Sequence, residues 1–358
     1  MRRRGVLWAS TATTTRGGVA SYVRSVRATP LWSTWGIRHV ATHTDGSAVA
    51  RLALFARSLV VVGLRLAVRP PALLHLHTAS RGSFARKSVL ALLARRRGVP
   101  VVVHVHGGGF ADFHDAAPRW LRRWIRHTLE SADVVVALGA GWAAQLRRIA
   151  PGARIEVVPN AVVPPATVIA SPGAPPVALF LGLVHADKGV PVLVDAWSEV
   201  RARLPGLDAR LVVAGDGDLD GLRRQVAARR LGDVVETPGW VGPDDVARLL
   251  DGAAVLVLPS RAEGHPMAVL EAMAHARPVV ATAVGGLPDL VDDTSGRLVP
   301  PDDVAALADA LVEVLGDPAT RERLGAGARA RVLEHFDVAV TSRRLDALYR
   351  ELTGRSDR

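Results

Sequence analysis

Short apolar runs alternate with helical segments along the whole chain, and this alternation restricts the possible folds more than any other feature. Parallel strands joined by crossover helices produce such a pattern. Because there are enough runs for two separate doubly wound sheets, the sequence predicts an α/β protein with two Rossmann-like domains. The strand candidates lie at 5–9, 38–42, 72–76, 100–105, 133–138 and 154–158 in the first half, and at 177–181, 209–214, 234–237, 254–258, 278–282 and 297–299 in the second.

Between the two sets lies a proline-rich stretch without periodicity, which runs through 159–165 and continues at 171–176. Such a stretch is typical of an interdomain linker. We therefore predict an N-terminal domain at 1–163 and a C-terminal domain at 164–337, since 358 residues are enough for two cores. The last segment, 338–358, has a helical pattern and is expected to pack back onto the N-terminal domain.

The charge of the chain is unevenly distributed around a formal net charge of +11. Residues 1–163 hold 24 Lys+Arg against 6 Asp+Glu, and the remainder holds 21 against 28. A basic first half indicates an anionic partner. A general preference for arginine is the alternative, because only Lys87 and Lys188 are lysines, but it does not explain the asymmetry.

Several classes of protein are disfavoured by composition. The chain has no cysteine, so disulfides and thiolate zinc sites are excluded. The apolar run after the basic N-terminus is too short for a signal peptide. The stretch 52–68 is interrupted by Arg57 and Arg65, which argues against a membrane-spanning helix. We expect a cytoplasmic protein.

The most informative motif, Pro-Ser-Arg-Ala-Glu-Gly-His-Pro-Met-Ala-Val-Leu-Glu at 259–271, follows a strand candidate. Pro266 suits a first helical position, and a helix N-terminus at the carboxyl edge of a parallel sheet attracts phosphate. Gly264 allows a ligand to approach the backbone closely. Glu263 is placed to accept hydrogen bonds from sugar hydroxyls, and Glu271 to hold two ribose hydroxyls. The alternative is a solvated loop glutamate and an ordinary helix glutamate.

This motif resembles the E-x7-E signature of the retaining glycosyltransferases of family 4, and the resemblance covers most of 175–300. It implies the GT-B fold, in which two Rossmann-like doubly wound parallel-sheet domains face each other across a cleft and a nucleotide diphosphate sugar is the co-substrate. The further matching motifs are Phe-Leu-Gly-Leu-Val-His-Ala-Asp-Lys-Gly at 180–189, Ala-Gly-Asp-Gly-Asp at 214–218, Pro-Gly-Trp-Val at 238–241 and Arg-Pro-Val-Val-Ala-Thr at 277–282.

The resemblance also implies roles for single residues. Lys188 would neutralise the donor diphosphate, Glu271 would bind ribose and Glu263 the transferred sugar. A fixed cation and helix amides stabilise the charge that develops on a leaving nucleotide. A surface lysine at a helix start is the alternative for Lys188. The predicted catalytic residues are His106, Glu263 and Lys188, and the predicted donor-binding residues are Gly182, Gly239, Trp240, Val241, Gly264, His265, Met267 and Glu271.

Three positions depart from the family pattern. Leu183 stands where the family often has an arginine, a second cation for the phosphates. Without this arginine, Lys188 has less help in neutralising the donor phosphates, unless another arginine compensates. Ala276 stands where glycine is common, and Asp289 where glutamate is common.

The N-terminal half carries signals for an acceptor site. Gly17 and Gly18 follow the first strand candidate, where a glycine loop admits a phosphate or a sugar. Ser83, Arg86 and Lys87 begin a helix after another strand candidate and are placed to hold an anion. This stretch resembles family members that build lipid-linked bacterial polysaccharides, which implies a glycan or a polyprenyl-diphosphate-linked acceptor.

The segment His104-Val105-His106-Gly107-Gly108-Gly109 has three interpretations. His-x-His on a strand points both rings to one side and suits a metal, but no convincing further ligands accompany it. His-Gly-Gly-Gly is similar to an esterase oxyanion loop, but no Gly-x-Ser-x-Gly elbow is present. By the family resemblance, His106 contacts the transferred sugar or the acceptor and His104 packs inside the sheet. Asp216 and Asp218 imitate an Asp-x-Asp metal motif but lie at a strand end, so we predict no metal and no cofactor.

One helix candidate predicts contact with a membrane. Arg119, Arg122, Arg123 and Arg126 form a stripe, with Trp120, Leu121, Trp124 and Ile125 on the rest of the helix. The segment 51–69 repeats the theme with Arg57 and Arg65. Tryptophan beside arginine suits an anionic interface, so a peripheral position on the inner face of the cell membrane is expected. An ordinary surface helix is the alternative.

The sequence as a whole predicts a glycosyltransferase that moves a sugar from a nucleotide diphosphate sugar to a hydroxyl, with retention implied by the resemblance. Two alternatives remain open. The first is a non-catalytic relative that binds nucleotide sugars, against which the intact Glu263, Glu271 and Lys188 argue. The second is a nucleic-acid-binding protein, but aromatic residues make up only 4% and no nucleic-acid motif is present.

Overall fold

The computed structural model describes residues 5–169 and 175–354. The basic N-terminus, most of the second part of the predicted linker and the last four positions of the predicted terminal helix therefore lie outside the described residues. The chain divides into two compact units, Met1–Ala161 with Val338–Arg358, and Val162–Asp337.

The first unit is built on a six-stranded parallel sheet with the order β2-β1-β3-β4-β5-β6. Its strands β1, β3, β4 and β5 are buried along their whole length, because helices cover both faces of a parallel sheet. The strands are β1 Val6–Ser10, β2 Arg38–Ala41, β3 Leu73–Thr78, β4 Val101–Val105, β5 Val134–Ala137 and β6 Ile155–Val157. The helices are α1 Gly18–Arg27, α2 Pro30–Thr34, α3 Ala48–Val68, α4 Gly82–Arg95, α5 Phe110–Asp115, α6 Arg119–Glu130 and α7 Ala140–Ile149.

The second unit has a six-stranded parallel sheet with the order β12-β11-β10-β7-β8-β9. The strands are β7 Val177–Leu181, β8 Arg210–Ala214, β9 Val235–Gly239, β10 Val255–Leu258, β11 Val279–Thr282 and β12 Gly296–Val299. The helices are α8 Val190–Arg203, α9 Leu219–Ala228, α10 Pro243–Gly252, α11 Met267–Ala274, α12 Leu287–Leu290, α13 Val304–Gly316 and α14 Pro318–Arg331, with a short 3₁₀ turn at Ala186–Lys188 and a π-helical turn at Val332–Phe336.

Each sheet has one point at which the strand order reverses. It lies between β1 and β3 in the first unit and between β7 and β10 in the second. Ligands of open parallel sheets bind outside the carboxyl ends of the strands at this switch point. A ligand site is therefore expected at the loops after these four strands.

The terminal helix α15, Val338–Thr353, packs within the first unit. Its buried Tyr349 hydroxyl accepts a hydrogen bond from Trp8 Nε1 at 3.0 Å and pairs with His75. Trp35 Nε1 donates to Asp346 Oδ1 at 2.7 Å. Because these partners lie on β1, on β3 and just before β2, they attach α15 to the first strands of the unit.

The observed elements correspond closely to the sequence predictions. Every strand candidate corresponds to a strand, with ends that differ by at most two residues. One position is corrected: Pro266 has an extended ψ of 126° and precedes α11, which begins at Met267 rather than at the proline. The φ of −67° is compatible with a helix, but the extended ψ places Pro266 at the residue before the first helical position.

Candidate active site

An ion pair occupies the switch point of the second sheet. Lys188, at the end of the loop after β7, donates from Nζ to Glu263 Oε1 at 2.7 Å, and Glu263 lies in the loop after β10. Ser260 Oγ donates to the same carboxylate oxygen at 2.7 Å. The two charged residues that the sequence motifs indicated separately are thus brought together by the topology.

Two glycines, one before α8 and one in the loop after β11, allow close approach to the loop that carries Glu263. Gly189 follows Lys188 with a φ of 70°, and a Cβ there would lie 1.8 Å from the Pro259 carbonyl oxygen. Gly285 has a φ of 57°, and its Cβ would lie 1.9 Å from the Glu263 carbonyl oxygen. Any other residue at either position would push the loops apart, so the backbone fixes the position of the ion pair.

The ion pair is asymmetrically exposed. The side chain of Glu263 is 8% exposed, whereas that of Lys188 is 29% exposed. A buried carboxylate needs charged or hydrogen-bonding partners, which Lys188 and Ser260 supply. An ammonium has three protons, and Glu263 accepts one of them. The remaining donors of Lys188 suit the oxygens of an incoming phosphate.

The other predicted donor-binding residues lie around the same edge of the second sheet. Gly182 follows β7 and Gly239 ends β9, and the Gly215 amide links the two regions by donating to the Gly239 carbonyl at 2.8 Å. Trp240 is 53% exposed beside the half-buried Val241.

The helix α11 carries the rest of the predicted donor-binding set. Glu271 is half-buried on this helix, and Gly264 is half-buried in the loop before it. Met267 is buried at its first position. The buried His265 ring packs edge-to-face on Phe336 with centroids 5.6 Å apart, which indicates a packing role for this histidine in addition to any contact with a donor.

Ser260 is a further residue of this site that was not predicted from the sequence. Its side chain is fully buried, it orients Glu263, and its carbonyl accepts a hydrogen bond from the Thr282 hydroxyl. The signal available in the sequence was a serine three residues before the motif glutamate, directly after a buried strand.

In the first unit, His106 follows β4 and uses both ring nitrogens within the protein. Its Nδ1 lies 3.2 Å from Asn160 Oδ1, and its Nε2 lies 2.9 Å from His77 Nδ1. Burial and the nearby Lys87 lower the pKa of His106 to about 3, so the ring is neutral. An amide oxygen only accepts, so His106 donates from Nδ1 and accepts at Nε2 from His77. A substrate contact by a His106 nitrogen therefore requires exchange of one of these partners.

A second His-x-His pair, not predicted from the sequence, lies beside the first. His77 and His104 are register partners on β3 and β4, and His75 Nε2 lies 3.3 Å from His104 Nδ1. Within 5–169 and 175–354, His75, His77 and His104 are the one group of three side chains whose atoms are close enough to share a metal ion. Strand pairing creates this group, so it is invisible to a scan along one motif.

The predicted acceptor residues lie at the switch point of the first sheet. Gly17 and Gly18 begin α1 after β1, and Gly17 has a φ of 122°. Ser83, Arg86 and Lys87 lie on α4 after β3, and Lys87 is 2% exposed.

Both halves of the chain are similar to known proteins. Residues 175–317 match the family described as glycosyl transferases group 1, and residues 1–161 match the glycosyl transferase 4-like domain. Alpha-D-kanosaminyltransferase of Streptomyces kanamyceticus is 29% identical over 301 residues, which cover 77% of each chain. The putative colanic acid biosynthesis glycosyltransferase WcaL of Salmonella typhimurium is 34% identical over 50% of this chain and 46% of that protein, so the match spans about half of that relative.

A solved structure shares the fold over nearly the whole chain. HepE from Anabaena, crystallised in complex with UDP, superposes with a TM-score of 0.75 over 97% of this chain and 100% of that one. The two sequences are 17% identical, so this likeness supports the architecture rather than the substrate.

Proposed function

Because this chain belongs to the group 1 glycosyltransferases of family 4, we propose that it moves a sugar to a hydroxyl of a glycan or lipid-linked acceptor with retention of configuration. The predicted family, GT-B fold and enzyme class are confirmed, and the chain is a glycosyltransferase with a nucleotide-sugar donor. The observation that supports the proposal best is the Lys188–Glu263 ion pair at the switch point of the second sheet.

In the proposed mechanism, the second unit holds the donor. Lys188 stabilises the negative charge that builds up on the diphosphate as the sugar leaves, and Glu271 binds the ribose. Glu263, oriented by Ser260, accepts hydrogen bonds from hydroxyls of the transferred sugar. Gly182, Gly239, Trp240, Val241, Gly264, His265 and Met267 line the donor site in this proposal. Transfer requires no divalent metal, because Lys188 supplies the charge that a metal would otherwise supply.

The first unit holds the acceptor in the same proposal. His106 contacts the transferred sugar or the acceptor after it exchanges one ring partner, and its low pKa keeps it neutral in that role. Gly17 and Gly18 allow close approach of the acceptor, while Ser83, Arg86 and Lys87 bind an anionic part of it.

The proposal is tested by turnover of a nucleotide sugar in Lys188→Ala and Glu271→Ala. Loss of one preorganised charged contact costs about 3 kcal/mol in the transition state, so kcat/KM should fall by about two orders of magnitude in each. The matched control is Arg210→Ala, which removes an exposed ion pair with Glu236 from the same unit. The assay is run in excess EDTA, and the anomer of the product is read by NMR.

Near wild-type turnover in both variants would refute the assigned site. Activity that disappears in EDTA and returns with Mg²⁺ would refute metal independence. Inversion at the anomeric carbon would refute only the proposed retention of configuration.

The proposal also includes a position on an anionic membrane, where a lipid-linked acceptor lies. Within the described residues no helix is long and apolar enough to span a bilayer. On α6 the side chains of Arg119, Arg122, Arg123 and Arg126 are exposed, and Trp120 is 66% exposed. Arg122 donates to backbone carbonyls and Arg126 pairs with Glu130, whereas within 5–169 and 175–354 Arg119 and Arg123 have no such partner.

The helix α3 supports the same location more strongly than its sequence suggested. Its side chains Val49, Leu52, Val60, Leu64 and Val68 are 60–81% exposed. Val62 and Leu66 cover the opposite, buried side. A helix that is apolar on its solvent-facing side, with arginines among the apolar residues, suits insertion at the headgroup level of a bilayer.

Liposome sedimentation distinguishes this location from an ordinary surface. Each cation near an anionic surface contributes about 1 kcal/mol, so simultaneous replacement of the four α6 arginines by Gln should lower the bound fraction strongly. Replacement of Leu52, Val60 and Leu64 by Gln should also lower it, while Leu333→Gln, an exposed apolar residue of the second unit, should not. Equal recovery on neutral and anionic vesicles would contradict the membrane proposal.

A further inference from the structure

Lys87 is a buried cation without a buried anion. Its side chain is 2% exposed on α4, and its Nζ donates to Ser83 Oγ at 3.3 Å. That hydroxyl also accepts from the Ala79 amide at 3.2 Å. In the part of the chain that the structure describes, no carboxylate lies within ion-pairing distance of Lys87.

Further positive charge surrounds this position. Arg86 precedes it on α4, Arg51 lies on α3, which packs against α4, and His43 lies in the connection between β2 and α3. Burial and then the charges of Arg86, Lys87 and Arg51 lower the pKa of His43, and burial and then Arg51 lower the pKa of Arg86. Arg86 Nε and His43 Nδ1 are buried and have no hydrogen-bond partner among the described residues.

The neighbouring residues do not compensate this charge. Asp45 raises the pKa of His43, but it is exposed and accepts a hydrogen bond from the Arg16 amide at 3.0 Å. His106, which the charge of Lys87 also influences, is neutral. A cationic cluster of Lys87, Arg86 and Arg51, with Ser83 and His43 beside it, therefore lies at the switch point of the first sheet.

An ammonium taken out of water without a counter-charge carries a large desolvation penalty, and a bound anion offsets it. A phosphate fits this cluster better than a carboxylate, because it brings up to two negative charges and three acceptor oxygens. We propose that the cationic cluster binds a phosphate group carried by the acceptor substrate, close to His106. This inference rests on the proposed function and narrows the acceptor to phosphorylated molecules.

Burial and then Arg86 lower the pKa of Lys87 to about 7, so near neutral pH the free protein carries Lys87 in both protonation states. A phosphate interacts with the charged form, and binding must therefore raise the pKa of Lys87. The sign of the linkage follows: affinity for the phosphate increases as the pH falls through about 7, with proton uptake on binding. Below about pH 6 the phosphate itself becomes protonated, which limits the increase.

The composition of the chain makes this measurable, because Lys87 and Lys188 are its only lysines. Protein labelled with ¹³C-lysine is titrated with pH by NMR in the presence and absence of inorganic phosphate. We expect the Lys87 signal to titrate near pH 7 in the free protein and its pKa to rise by about one unit or more with phosphate, which is a tenfold preference for the charged form. Lys188→Arg assigns the signals and leaves the Lys87 response unchanged.

Variants keep the test specific to the cluster. Arg86→Gln and, separately, Ser83→Ala should weaken the phosphate-induced change at Lys87, while Arg95→Gln, an exposed position on the same helix, should not. Glucose 6-phosphate and a polyprenyl phosphate in detergent micelles then distinguish a soluble from a lipid-linked source; a response to either supports the proposal. A Lys87 pKa that does not respond to any of the three phosphates would overturn the phosphate proposal. That result would not refute the proposed function, which is tested separately by donor turnover in the Lys188 and Glu271 variants.

Discussion

At the scale of single residues, buried polar side chains define both candidate sites. Glu263 is neutralised and oriented by Lys188 and Ser260, so its carboxylate has one well-determined direction. His106 is held in one tautomer by Asn160 and His77. The motifs predicted Glu263, Lys188 and His106 but not the partners that orient them. Ser260 lies only three residues before Glu263, but the other partners become neighbours through strand pairing and loop contacts, which a linear pattern does not contain.

The buried histidines of the first sheet predict an acid-sensitive fold. Burial lowers the pKa of His75 to about 3, whereas an unfolded chain protonates it near 6.5. Below pH 6.5 the unfolded state binds more protons, so the stability present above that pH is lost progressively as the pH falls towards 3. One such group contributes a slope of about 1.4 kcal/mol per pH unit.

We expect His75→Phe to reduce the slope of the unfolding free energy between pH 6 and pH 4 by about this amount per pH unit, as measured by urea denaturation. Val103→Ala, at a buried position of the same sheet without a titratable group, is the control and should keep the wild-type slope. The readout is the slope, so a general loss of stability in His75→Phe does not disturb it. An unchanged slope in His75→Phe would show that folding does not lower the pKa of this histidine.

At the scale of elements, apolar runs predicted the strands well because a strand covered on both faces has few alternatives to Val, Leu and Ala. The exposed apolar side of α3 was less visible, because its sequence is apolar around most of the helix and only packing separates Val62 and Leu66 from Val60 and Leu64. The start of α11 differed by one residue, as helix ends commonly do.

The end of α11 carries a departure from the family pattern that has a physical consequence. Ala276, where glycine is common in the family, has a φ of 55° just after the helix. A left-handed conformation at this position favours glycine, since a Cβ there meets the following carbonyl. We expect Ala276→Gly to raise the free energy of unfolding by up to about 1 kcal/mol, after the entropy of the added glycine is subtracted.

The matched control is Ala326→Gly, an exposed site in the middle of α14, which should lower the free energy of unfolding by about 1 kcal/mol. Chemical denaturation of the two variants beside the wild type gives both signs in one experiment. A loss of stability in Ala276→Gly similar to that in Ala326→Gly would mean that the left-handed conformation is not strained.

At the scale of the whole molecule, the two sheets have different strand orders, and the two halves of the chain carry different net charge. The basic first unit carries the cationic cluster, α3 and α6, and the second carries the ion pair and the matched donor motifs. The sequence predicted two Rossmann-like domains from the number of strands. The identity of the sugar and of the acceptor depends on side-chain positions around each switch point, and the family motifs do not encode them.

The central claim, that the second unit binds a nucleotide diphosphate sugar through Lys188, Glu263 and Glu271, is tested most directly by thermal unfolding with a panel of nucleotide sugars. A ligand at 100 times its Kd stabilises the folded protein by about 2.7 kcal/mol, so at least one member of the panel should raise Tm by several degrees. The increase should be lost in Glu271→Gln and kept in Arg210→Ala. No increase with any nucleotide sugar, or an equal increase in Glu271→Gln, would contradict the account.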